Sequence, residues 1–135
     1  MGRYLLDSHA FLWAKRRAPE LRGAALAEVE KTENALFVST ASLWELAAKA
    51  STGRLPEFAA IMNRGPDSLR AALSESGFRL LPAELHHVTA LYRLPPHHAD
   101  PFDRMMIAQA MLEDLTIITH DRSFQYYSGL KLLMA

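Results

Sequence analysis

Thr116-Ile117-Ile118-Thr119-His120-Asp121 is a short apolar run closed by an acid, and Arg3-Tyr4-Leu5-Leu6-Asp7 repeats that arrangement near the start of the chain. Short apolar runs bounded by polar residues read as strands. Leu36-Phe37-Val38-Ser39, Phe78-Arg79-Leu80-Leu81 and Leu130-Lys131-Leu132-Leu133 read the same way. Between these runs lie helical stretches near residues 9–15, 21–32, 40–51, 57–75, 84–92 and 102–114, the fourth broken at Gly65-Pro66. Strands alternating with helices of this length predict crossover units and a parallel sheet covered on both faces, an α/β fold. In such a sheet Asp7 and Asp121 lie at the carboxyl edge, where open α/β folds place their ligands.

Composition narrows the function classes. The chain has 135 residues, which predicts one domain over residues 1–135. Half of the residues are hydrophobic, enough for a core. Lys plus Arg is 15 and Asp plus Glu is 15, so no whole-molecule field draws the chain to nucleic acid or anionic lipid, and any such partner must be recognised by a local site. Cysteine is absent, which removes disulfides, thiolate zinc sites, iron–sulfur clusters and Cys nucleophiles. Charges interrupt every apolar stretch before it could span a bilayer, and Met1-Gly2-Arg3-Tyr4 does not open a signal peptide. The expectation is a cytoplasmic protein without membrane association.

The acids carry the chemistry. In Asp100-Pro101-Phe102-Asp103 the first Asp suits the N-cap and Pro the first helical position, so a helix starts near 101. Its apolar residues fall on two stripes, Phe102, Met105, Met106 and Leu112 on one and Ile107, Ala110 and Met111 on the other, which predicts a largely buried helix. Asp103 shares the side of Ile107 and Ala110, and Glu45 stands in the third helix beside Trp44. Each acid has an ordinary explanation: Asp7 and Asp121 as caps, Asp103 at a capping position, Glu45 paired with Lys49. Converging on one rim, however, they would repel one another unless a cation joined them. Oxygen donors without Cys favour Mg²⁺ or Mn²⁺, and carboxylates around such ions suit metal-assisted hydrolysis of a phosphodiester by one ion or two.

Four blocks carry a family resemblance in order along nearly the whole chain: Leu5-Leu6-Asp7-Ser8-His9-Ala10-Phe11-Leu12-Trp13, Val38-Ser39-Thr40-Ala41-Ser42-Leu43-Trp44-Glu45-Leu46-Ala47-Ala48-Lys49, His97-His98-Ala99-Asp100-Pro101-Phe102-Asp103-Arg104-Met105-Met106-Ile107-Ala108-Gln109-Ala110, and Ile118-Thr119-His120-Asp121-Arg122-Ser123-Phe124. The chain resembles the PIN-domain family in its VapC-like toxin branch. The resemblance implies a three-layer α/β/α sandwich with a central parallel sheet of about five strands, and an Mg²⁺- or Mn²⁺-dependent endoribonuclease that is the toxin of a type II toxin–antitoxin pair. It implies that Asp7, Glu45, Asp103 and Asp121 form the catalytic and metal-binding quartet, with Ser8 where Thr is more usual. A cognate antitoxin that obstructs the acidic site and a homodimer are implied as partners beside the RNA substrate.

Other readings are weighed against this one. A zinc site at His97-His98 with Asp100 is disfavoured because adjacent histidines diverge. Lys15-Arg16-Arg17 with Arg22 is a solvated helix end or a phosphate contact. An aspartyl-nucleophile phosphohydrolase would want a second acid two residues after Asp7, where His9 stands. A non-catalytic interaction protein on the same fold has no physical reason to keep four clustered carboxylates. Phe58, Ile61, Met62, Leu69 and Leu73 are candidates for an interface or the core.

Overall fold

The computed structural model describes residues 1–135. Five strands, β1 (Arg3–Leu6), β2 (Ala35–Ser39), β3 (Phe78–Leu81), β4 (Thr116–Thr119) and β5 (Leu132–Met134), form one sheet in the order β3-β2-β1-β4-β5. Every pairing is parallel, with Leu5 opposite both Phe37 and Ile117. Seven helices, α1 (Ser8–Arg16), α2 (Gly23–Glu30), α3 (Thr40–Ala50), α4 (Pro56–Asn63), α5 (Pro66–Glu75), α6 (Leu85–Arg93) and α7 (Pro101–Glu113), cover the two faces.

Alternation along the strands builds two cores. Leu6, Leu36, Val38 and Ile118 point to one face and pack with Ala10, Phe11, Ala25, Leu43, Leu46, Phe58 and Leu73 from α1 to α5. Leu5 and Ile117 point the other way, onto Met106, Ile107 and Ala110 of α7 with Phe124 and Tyr127. The α/β/α layering anticipated from the strand and helix pattern is the one observed. In α7 the stretch from Met106 to Ala110 is buried, whereas Met111 and Leu112 face solvent, so the helix is less completely enclosed than its composition suggests.

Local chemistry sets the element ends. Gly65 takes φ 93°, a conformation open to glycine, and Pro66 follows at the start of α5; together they break the long stretch expected over 57–75 into α4 and α5. The last strand begins two residues later than the apolar run suggests. Gly129 turns the chain at φ 82°, and the N–H of Leu130 is taken by the Tyr127 carbonyl at 3.4 Å, so pairing starts only beyond that turn. The 3₁₀ turn over Arg122–Tyr126, capped by Asp121, has no counterpart in the periodicity.

One buried polar tie fixes the end of β2 against α7. Ser39 accepts from the Ala41 N–H at 3.0 Å and donates to Gln109 Oε1 at 2.6 Å. Gln109 Nε2 donates in turn to the carbonyls of Leu81 at 3.3 Å and Pro82 at 3.2 Å. Both residues are fully buried. Ser39→Ala therefore removes a cap and leaves a buried amide oxygen unsatisfied, an expected loss of about 1–3 kcal/mol by urea denaturation. A variant as stable as the wild type would show that water replaces the hydroxyl.

Candidate metal centre

Strand order reverses beside β1: the chain runs outward through β2 and β3, then returns to place β4 on the other side of β1. That switch point opens a crevice at the carboxyl ends of the strands, and the acids gather there. Asp7 follows β1 and is buried; its Oδ1 accepts from the Ala10 N–H at 2.8 Å and its Oδ2 from the Thr119 hydroxyl at 2.5 Å. Thr119 Oγ1 also accepts from the N–H of Asp121 at 3.0 Å, so one threonine at the end of β4 links both acids. Asp121 Oδ1 accepts from the Ser123 N–H at 2.9 Å and the Ser123 hydroxyl at 2.6 Å.

Glu45 enters from α3. Its Oε1 accepts from the Ser8 hydroxyl at 2.5 Å, and its Oε2 pairs with Lys49 Nζ at 3.2 Å. The ordinary explanations of Asp7, Asp121 and Glu45 are thus all realised, and none removes them from the crevice. Asp103 differs. Its backbone N–H goes to Asp100 Oδ1 at 3.4 Å, while its carboxylate receives no donor from the protein.

The electrostatics follow from this geometry. Burial, then the charges of Asp100, Glu45, Asp7 and Asp121, push the Asp103 carboxyl up from 3.8 to about 7. Asp7 is also raised, chiefly by burial, with the Thr119 and Ala10 hydrogen bonds opposing. Partial burial raises Asp121 too, but the hydrogen bonds from Ser123 and the proximity of His98 outweigh it and leave the group below its ordinary value. A cluster of hard oxygen donors in which one carboxyl is driven toward its neutral form fits a divalent cation, which would relieve the repulsion.

Asp103 therefore feels the other three acids of the anticipated quartet, which lie after β1, in α3 and after β4. Asp103, Asp121 and His98 bring one donor atom each within 4.8 Å of one another. His98 is the residue that sequence reasoning missed. The two histidines do diverge: His97 packs on Tyr127 at 4.9 Å, whereas His98 turns inward with its side chain 7% exposed and its Nε2 2.8 Å from Ser123 Oγ. The available signal was the Asp121-Arg122-Ser123 step directly after a strand, which predicts a hydroxyl folded back onto the acid.

Two sets of residues left open between alternatives take definite places in the fold. Lys15 reaches Ser76 Oγ at 3.4 Å, beside the start of β3 and so at the amino edge of the sheet, which places the basic end of α1 a helix length, about 12 Å, from the acids. Phe58 and Leu73 are core, while Met62 and Leu69 line a groove of about 380 Å³ with Trp44 and Leu80.

A second cluster, His86, His87 and Glu113, also brings three donors together. It lies at the far end of α7. His87 Nδ1 accepts from the Glu84 N–H at 3.0 Å, so the proton sits on Nε2 and is donated to Glu113 Oε2 at 2.9 Å. A ring in that tautomer cannot ligate through Nε2, and the cluster is a tie between α6 and α7.

Similarity to known proteins agrees with the geometry. No curated protein matches the chain in sequence. Among solved structures, it is similar to a chain of VapBC2 from Rickettsia felis bound to a DNA fragment from their promoter, with 18% identity, a TM-score of 0.72 and 98% of each chain covered. A chain of DNA-bound VapBC from Salmonella typhimurium gives 18% identity and a TM-score of 0.70, with 99% of this chain and 98% of that one covered. For FitAcB from Neisseria gonorrhoeae the values are 16%, 0.65 and 96% of each chain. These likenesses establish the fold. Residues 4–130, nearly the whole chain, match the PIN domain, and the protein belongs to that family.

Proposed function

We propose that the chain, one domain over residues 1–135, is a metal-dependent endoribonuclease of the VapC-like toxin branch that hydrolyses RNA phosphodiester bonds. The observation that carries this reading is the convergence of Asp7, Glu45, Asp103 and Asp121 at the switch-point crevice, with the Asp103 carboxyl pushed up to about 7. Asp7, Asp103 and Asp121 would hold Mg²⁺ or Mn²⁺ directly, with Glu45 holding a solvent molecule or a second ion. Bound there, the cation supplies Lewis acidity toward a phosphoryl oxygen and toward water. Ser8 and Lys49 hold Glu45 in place, and Thr119 holds Asp7. Each oxygen of Asp7 accepts one hydrogen bond, which lowers its nucleophilicity while leaving a lone pair on each for a cation.

The similar chains come from assemblies named VapBC2, VapBC and FitAcB, which supports a cognate antitoxin as partner. A homodimer is proposed from the family resemblance alone. No helix is long and apolar enough to cross a membrane. The decisive experiment incubates metal-stripped protein with single-stranded RNAs, with and without Mn²⁺. Cleavage is expected only with the metal; cleavage that persists in excess EDTA would rule the mechanism out. Expression of the chain alone is expected to arrest growth, and co-expression of its neighbouring antitoxin to restore it. Normal growth with no co-purifying partner would count against the toxin assignment.

A further inference from the structure

His98 and Ser123 lie outside the acidic quartet, yet they meet one of its members in a fixed order. Ser123 Oγ carries one proton. It is 2.6 Å from Asp121 Oδ1 and 2.8 Å from His98 Nε2. An ionised carboxylate only accepts, so the serine proton goes to Asp121, and the serine oxygen must accept from a proton on His98 Nε2. The ring is held from behind: Nδ1 lies 3.2 Å from the Tyr127 hydroxyl, which also accepts from the His98 backbone N–H at 3.1 Å. Phe124 and Tyr127 flank the ring at 4.9 Å and 5.4 Å.

This chain of donors ends on one oxygen of Asp121. Oδ1 receives the hydroxyl and the N–H of Ser123, whereas Oδ2 is 3.7 Å from His98 Nε2, beyond hydrogen-bond range, and receives no donor. Asp121 itself is half exposed, so without the hydroxyl its carboxylate is held by the Ser123 N–H alone.

We propose that His98 is a positioning residue which, through the Ser123 hydroxyl, fixes Asp121 so that Oδ2 alone is presented to a divalent cation. The inference rests on the metal-dependent reading and adds to it residues that would touch neither the ion nor RNA. Because Nε2 bears the proton given to Ser123, the imidazole is a donor and not a ligand.

The test reads Mn²⁺ binding to the full chain without RNA, from the electron paramagnetic resonance signal of free Mn²⁺. His98→Leu, which keeps bulk but removes both nitrogens, should weaken binding about tenfold or more, the usual effect of losing an outer partner of a metal ligand. Ser123→Ala, at a half-exposed position where packing is little affected, should do the same and guards against a folding defect in the first variant. His98→Gln, whose terminal N–H can reach Ser123, should bind close to wild type. Wild-type binding by both His98→Leu and Ser123→Ala would overturn the relay while leaving the metal site intact. A directly coordinated nitrogen in the electron-spin-echo spectrum would also overturn it, by making His98 a ligand. If the wild type binds no Mn²⁺, the metal-dependent reading falls and takes the relay with it.

Discussion

Asp103→Asn should lower RNA cleavage by on the order of 10³-fold and, at the same time, raise the melting temperature of the metal-free protein. The two effects have one cause. Asp103 is the acid without a donor, and four carboxylates press on it. Asn keeps the shape and removes the charge. At about pH 8, where Asp103 is ionised, relief of that repulsion is expected to be worth on the order of 1 kcal/mol after discounting for its partial exposure, or about 2–4 °C. Mg²⁺ should then stabilise the wild type by about 2.7 kcal/mol at a hundredfold excess over Kd, and the variant far less. If Asp103 served only to complete the first turn of α7, the signs would reverse: the variant would lose up to about 1 kcal/mol and keep the wild-type response to Mg²⁺. Melts of both proteins in EDTA and in Mg²⁺ decide between them.

Mn²⁺ affinity should rise about tenfold per pH unit below neutrality and level off above about pH 7. The sign follows from Asp103, whose carboxyl stands at about 7 in the fold against 3.8 ordinarily. Between those values the folded protein holds a proton that the unfolded chain has released, so the stability of the metal-free protein falls as pH rises through that window. A cation must displace the same proton, so binding weakens as the solution is acidified. Asp121, held low, takes no part near neutrality. Calorimetric titration of Mn²⁺ at about pH 5, 6, 7 and 8 measures the slope. A flat profile would remove Asp103 from the ligands, and Asp103→Asn should flatten it.

Much of this was legible in the chain. Arg3–Leu6 and Thr116–Thr119 are short apolar runs that bury side chains on both faces, and an acid within two residues of each strand's end lands at the carboxyl edge whatever the sheet order. Gly65-Pro66 marked the break between α4 and α5 because glycine admits a positive φ there and proline fixes the first turn of the next helix, both local effects. The misses are non-local. The sheet order puts Thr119 within 2.5 Å of Asp7 across a large sequence separation, and no periodicity encodes that pairing. His98 was read as a loop or substrate-contact residue because its direction depends on Phe124 in a 3₁₀ turn that leaves no repeat and on Tyr127 just after it. The basic run at Lys15 was left open between a solvated helix end and a phosphate contact; α1 carries it to the edge opposite the acids.

The position of β4 has a consequence for biosynthesis. Its central place beside β1 is filled by a segment made late in translation, since Thr116 and Asp121 follow every helix in the chain. Any nascent fragment ending before Thr116 lacks the wall of the crevice, the threonine that steadies Asp7 and one of the acids. Whatever this centre acts on, the ribosome making it is not exposed to a finished copy until the final strands have emerged and the sheet has closed around them.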